Sequence, residues 1–249
     1  MKYNNLTNFI LERLYSVEHN ISCYSRDMNS EYLHSLRVDI KKIEAYFSFA
    51  RKVCKVKYDN MKLKRLFKKS GEIREIQINI QLLSSFPETP IWILTKLKKE
   101  EFILNRKFNI KSSKYISSIE DFRKNICHPK KSIKARKIKE YFSKMKDQSN
   151  NLVKNPNREE LHKYRKKIKM MLYVNNILPE KLKNVVDLNE VVIKKQQEKL
   201  GNWHDIYAGI NLFSKEIFPK NNSESLQKLK EKELRQFSNL LTYLKKNRI

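Results

Sequence analysis

The sequence predicts an all-α protein: two four-helix bundles from a tandem repeat, related by a pseudo-two-fold axis, with a basic central groove. Three observations carry that expectation. Apolar residues recur at spacings of three and four along most of the chain, the period of a helix packed on one side. Alternating β-branched runs joined by glycine-rich turns are absent, and the chain has only 3 glycines in 249 residues. The stretch Glu31–Lys41 also occurs twice. Glu31, Leu33, His34, Arg37, Ile40 and Lys41 return in order as Glu159, Leu161, His162, Arg165, Ile168 and Lys169, at an offset of 128. Gly71-Glu-Ile-Arg74-Glu75-Ile76 then reads against Gly201-Asn-Trp-His204-Asp205-Ile206, at an offset of 130. Self-similarity at such a distance signals a duplicated unit, so one domain over 1–249 divides into helical halves at 1–128 and 129–249.

The elements follow in order. Leu6, Phe9, Ile10, Leu14, Val17 and Ile21 share one face of a first helix. A second runs from about Glu31 to Val56, with Leu33, Leu36, Ile40, Ile43, Phe47 and Ala50 inward, and a third spans Met61 to Leu83. Thr89-Pro90 reads as an N-cap followed by proline at the first helical position, opening a fourth helix to about Phe108. A short helix over Tyr115–Ile126 ends at His128-Pro129. In the second half, Ile133–Leu152 corresponds to the first helix. Asn157 with Glu160 supplies capping signals for the helix carrying His162. A long helix from about Val185 to Phe218 is stopped by Pro219, and Leu226–Leu244 forms the last.

Charge is the strongest global signal. The 54 Lys and Arg against 27 Asp and Glu give a net charge of +27. Residues 1–50 balance at six against six, while 51–150 carry 27 basic and 10 acidic residues. Such an excess implies a polyanionic partner: nucleic acid, an acidic membrane or a phosphate polymer. No apolar run is long enough for a membrane span, and the N-terminus lacks the apolar core of a signal peptide, so the expected location is cytoplasmic. Cys23, Cys54 and Cys127 are odd in number and contain no CxxC, which supports neither a disulfide framework nor a zinc knuckle.

Helix geometry turns the repeat into a candidate site. At about 100° per residue, His34, Arg37 and Lys41 fall within an arc of about 60° that borders the apolar face of Leu33, Ile40 and Phe47. Lys169 stands to His162 and Arg165 as Lys41 stands to His34 and Arg37. Cations beside a buried stripe are costly unless an anion meets them. Two readings stay open: the two stripes line one shared cleft, or each arginine pairs with a carboxylate such as Glu75 or Asp205.

The doubled motif resembles the CHAD domain, a helical domain named for its histidines. His34-Ser-Leu-Arg37-Val-Asp-Ile-Lys41-Lys42 is similar to its first signature, and Leu161-His162-Lys-Tyr-Arg165-Lys-Lys-Ile-Lys169, with Tyr173 following, to its second. Leu200-Gly201-Asn-Trp-His204-Asp205 matches the glycine-to-aspartate motif of the family's second half, and Gly71-Glu-Ile-Arg74-Glu75 its first-half counterpart, with Glu75 where aspartate is usual. The resemblance implies paired four-helix bundles whose basic pore binds inorganic polyphosphate, in some members at polyphosphate granules. It also implies a binding set of His34, Arg37, Lys41, Lys42, Arg74, His162, Arg165, Lys169 and His204, with no cofactor and no metal. The basic residue that the family often carries ten places after each histidine is replaced here by Glu44 and Leu172. Lys42, Arg74, Arg123, Lys134 and Lys137 are the cations available to compensate. The Glu-x-Glu-x-Lys strand of the triphosphate tunnel enzymes often fused to this domain is missing.

The chemistry of the residues agrees. Arginine forks and lysine point charges suit phosphate oxygens, and a phosphate polymer releases condensed counterions when bound. Two alternatives belong to other classes. Single-stranded RNA is the weaker competitor, because the aromatics fall at core spacing instead of interleaving with cations. A metal-dependent phosphohydrolase using His34, His162 and His204 would set a divalent cation among Arg and Lys, without a ligand pair such as HxxxH. With no nucleophile, base or carboxylate cluster at a convincing spacing, the protein is expected not to be an enzyme.

Overall fold

The computed structural model describes residues 3–86, 89–126, 133–212, 214 and 224–249, all helical or connecting, with no strand among them. Two compact units form, Met1–Ile133 and Lys134–Ile249. The first holds α1 (Tyr3–Asp27), α2 (Ser30–Val53), α3 (Met61–Ser84), α4 (Ile91–Ile110) and α5 (Ser112–Lys124). The second holds α6 (Ala135–Leu152), α7 (Arg158–Ile177), α8 (Glu180–Val186), α9 (Glu190–Leu212) and α10 (Glu224–Lys246).

The order of packing repeats. In the first unit α1 packs on α2, α2 on α3 and α3 on α4, while the short α5 closes on α1. In the second, α6 packs on α7, α7 on α9 and α9 on α10, and the short α8 closes on α6. The expected apolar faces make these seams: Ile10, Leu14, Val17 and Ile21 of α1 are fully buried, as are Leu33, Leu36, Ile40 and Ile43 of α2. Each such side chain contributes about 1.5–3 kcal/mol when taken from water, and this burial drives the bundle. Leu161, Ile168 and Leu172 play the same part on α7, which places Leu172 in the core.

Capping chemistry sets the element boundaries. Asn157 accepts from the Glu160 amide at 2.9 Å and Glu160 accepts from the Asn157 amide at 2.8 Å, the expected capping box of α7. At the start of α2, Asn29 accepts from the Glu31 amide at 2.9 Å. Met28 before it takes the left-handed conformation, φ 54°, which turns the chain from α1 into α2. Two expectations need correction. Thr89 does not cap α4; its hydroxyl donates to the Leu83 carbonyl at the end of α3, and Pro90 occupies the cap position. The helix expected from Val185 onward is two helices, because Asp187 turns left-handed (φ 50°, ψ 52°) to end α8 and Asn189 accepts from the Val192 amide to open α9. The expected stops at His128-Pro129 and Pro219, and Cys127, lie outside the described residues.

Buried polar clusters fix the seams. Asp39 on α2 is 4% exposed and takes Arg13 at 3.2 Å and Ser16 at 2.6 Å from α1. In the second unit Glu233 on α10 takes a forked pair from Arg158 at 3.0 and 2.8 Å and the Trp203 indole N–H at 2.8 Å, tying α7, α9 and α10 together. A carboxylate buried to this degree is tolerated only because its acceptors are filled.

Candidate functional site

The repeat places one basic face on each unit. In the first unit it lies along α2 and α3. Arg37 reaches from α2 onto α3, where its Nη1 donates to the Phe67 carbonyl at 2.7 Å and its guanidinium lies 4.1 Å from the centre of the Phe67 ring. Gly71 makes that approach possible: a Cβ there would stand 2.6 Å from Arg37 Nη1. Lys41, one turn on, holds its Nζ 5.5 Å from the centre of the same ring. Phe67 was not among the sequence-predicted residues. It lies one turn before Gly71 on the same helical face, so the glycine's position was the signal that pointed to it.

Cations crowd this face around two carboxylates, Glu44 and Glu75. Burial disfavours the charged form of Arg37, and the neighbouring Arg74 charge disfavours it further, with Glu75 opposing both only in part. Burial raises the Glu44 carboxyl above the ordinary carboxylate range, although Lys64 and Lys41 pull the other way. His34 is exposed on the same helix. Lys42 turns elsewhere: its ammonium stands 3.3 Å from Asp39, joining Arg13 in the α1–α2 seam. Its helical position, one residue on from Lys41, rotates it about 100° off the stripe.

The second unit arranges the same letters differently. The imidazoles of His162 on α7 and His204 on α9 stack with centroids 5.1 Å apart and planes 19° from parallel. Asp205 lies 3.6 Å from His204 Nδ1. Arg165, the counterpart of Arg37, does not fill the space beside the second glycine: a Cβ built at Gly201 meets nothing within 4 Å. The Arg165 Nε is buried and makes no hydrogen bond. The position equivalent to Phe67 is Gln197, which offers no ring for a guanidinium to rest on. Lys169 follows one turn after Arg165, half-buried on the same helix. Among the described residues no group of three or more His, Cys, Asp and Glu stands together as a metal site. The carboxylates Glu75 and Asp205 approach the stripes, but neither forms an ion pair with Arg37 or Arg165 among the described contacts.

The model of the CHAD domain family matches residues 9–213, which includes both stripes and both glycines. The chain belongs to the CHAD family. A crystal structure of the CHAD domain from the plant Ricinus communis superimposes with a TM-score of 0.67 at 10% sequence identity, covering 97% of this chain and 90% of that one. At that identity the CHAD likeness is one of fold. A comparison with curated proteins gives no match.

Proposed function

We propose that this CHAD-domain protein binds inorganic polyphosphate without hydrolysing it, in the cytoplasm and in association with polyphosphate granules. The observation that carries the reading is the clustering of cations along each of the two repeated stripes. Arg37 sits beside Arg74, and Arg165 and Lys169 follow His162 along α7 at the spacing of the first stripe. A chain of phosphates supplies closely spaced oxygens for such donors, and charge-assisted contacts of this kind are the strong ones. Binding without chemistry is favoured because the faces offer cations and imidazoles, and the described residues hold no group of three or more His, Cys, Asp and Glu suited to a metal.

Single-stranded RNA fits less well. The Phe67 ring on the first face already carries the Arg37 guanidinium at 4.1 Å, which competes with a stacking nucleobase. The test is competition over a salt series between polyphosphate and single-stranded RNA with the same number of phosphates, in the presence of Mg²⁺. Polyphosphate should displace the RNA at every salt concentration and be recovered at its original length. Displacement in the opposite direction, or steady phosphate release, would overturn the reading.

A further inference from the structure

Helix α4 carries a row of large apolar side chains on its outside. Its packed side includes Ile93 and Phe108, but also Asn105, which accepts from the Tyr24 hydroxyl at 2.6 Å, and Glu101, which accepts from Gln77 at 3.0 Å. Its outer side presents Ile91, Trp92, Phe102, Ile103 and Ile110, from 41% to 81% exposed. At about 100° per residue these five fall within an arc of about 120°. Lys99 and Arg106 lie inside that arc and Lys96, Lys98 and Lys107 at its margins, all exposed. Glu100 is the one carboxylate on the exposed side of the helix. The contrast with the second unit is internal to the molecule: α10 packs on α9 as α4 packs on α3, yet Leu234 is its one large exposed apolar side chain among those described.

We propose that this face of α4 docks flat on an anionic lipid surface. An exposed helix face combining Trp, Phe and Ile with Lys and Arg matches what an interfacial helix needs. Apolar groups enter the acyl boundary, Trp sits at headgroup level, and cations meet the lipid phosphates. Charge complementarity excludes a basic partner. A phosphate polymer would satisfy the cations and leave the apolar groups in water. Single-stranded RNA could stack on Trp92 and Phe102, but Ile91, Ile103 and Ile110 have no π-face to offer it. No helix of the described residues is long and apolar enough to cross a membrane, so the contact proposed is with the surface alone. The proposal uses no residue of the two basic faces and stands apart from the polyphosphate reading.

The test uses the full chain with vesicles of phosphatidylcholine alone and of equimolar phosphatidylcholine and phosphatidylglycerol. Flotation should recover the protein with the anionic vesicles and not with the neutral ones. Trp203 is 1% exposed and Trp92 64%, so quenching by brominated lipid reports on Trp92. That quenching is expected in the parent protein, which makes the measurement independent of any variant's folding. The Trp92→Ser/Phe102→Ser/Ile110→Ser variant should lose about tenfold or more in vesicle affinity, with its helical circular dichroism unchanged. Four results would overturn the proposal: no recovery with anionic vesicles, no quenching in vesicle-bound parent, equal vesicle binding by the folded variant, or a lipid-free dimer that the variant abolishes. Protection of Trp92 from acrylamide by single-stranded RNA and not by vesicles would reassign the face to nucleic acid.

Discussion

The imidazole of His162 on α7 stacks on that of His204 on α9, 5.1 Å between centroids, and so joins the two helices of the second basic face. The stack can be a packing contact or a paired donor site for phosphate, and one substitution separates the two. Phenylalanine at 204 keeps a ring to stack and removes the nitrogen donors. His204→Phe should keep its thermal stability to within about 0.5 kcal/mol. Polyphosphate affinity should fall about three- to tenfold, the value of one hydrogen bond. Calorimetric titration beside thermal unfolding reads both, and unchanged affinity would leave the pair a packing contact only.

The two glycines make different predictions. Alanine favours a helix interior over glycine by about 1 kcal/mol. At Gly201 nothing opposes that gain, so Gly201→Ala should be stabilised by about that amount. At Gly71 the new Cβ would press on Arg37 Nη1, the far end of a flexible side chain, which must shift and disturb its bond to the Phe67 carbonyl. That disturbance offsets part of the helix gain, so Gly71→Ala should be less stable than Gly201→Ala. Urea unfolding compares the two variants; equal stabilisation would show that Arg37 relocates freely.

Acid should loosen the second unit through Glu233. Burial pushes this carboxyl up, but the hydrogen bonds from Arg158 and Trp203 and the Arg158 charge outweigh it and hold the group below the ordinary carboxylate value. A folded-state value below the unfolded one means the stabilisation is complete above the unfolded pKa, near 4.3 by model peptides, to within about a unit. It is lost as pH falls through the folded value. Glu233→Gln should remove that part of the acid dependence and cost about 1–2 kcal/mol at neutral pH, because the forked pair is lost while the 40% exposed Arg158 stays hydrated. Unfolding curves from pH 7 downward, parent beside variant, are the measurement; parallel curves would deny Glu233 the role.

Much of this was legible in the sequence. The repeat gave the equivalence of α2 with α7 and of α3 with α9, since an eleven-residue match with fixed spacing survives only if the helices keep the same face inward. Asn157 and Glu160 announced the start of α7, because a capping box is local chemistry. The break at Asp187 was hidden because Val185, Val186 and Leu188 continue an apolar pattern across it. Only the left-handed Asp187 and the capping Asn189 mark it, and both residues also occur within helices. The difference between the two arginines was not legible either. Arg37 and Arg165 occupy identical motif positions, and their fates diverge because α3 offers Phe67 where α9 offers Gln197. Lys42 reads as part of the stripe, but Asp39, one turn back on α2 and facing the α1–α2 seam, holds its ammonium at 3.3 Å.

We propose that the stripes, and not the net charge, hold the polymer. Polyphosphate binding by the Arg165→Glu/Lys169→Glu variant, compared with Lys230→Glu/Lys245→Glu on α10, tests it most directly. Each pair of reversals takes the net charge from +27 to +23. Long-range attraction depends on total charge and is screened within about 10 Å in ordinary salt, so it treats the two variants alike. The stripe variant also loses two charge-assisted contacts and sets carboxylates where phosphates must lie, which should weaken binding more than about a hundredfold. The α10 variant should lose about two- to fourfold. With both variants shown to be folded by circular dichroism, equal weakening would contradict the account and leave a protein that attracts polyanions through charge alone.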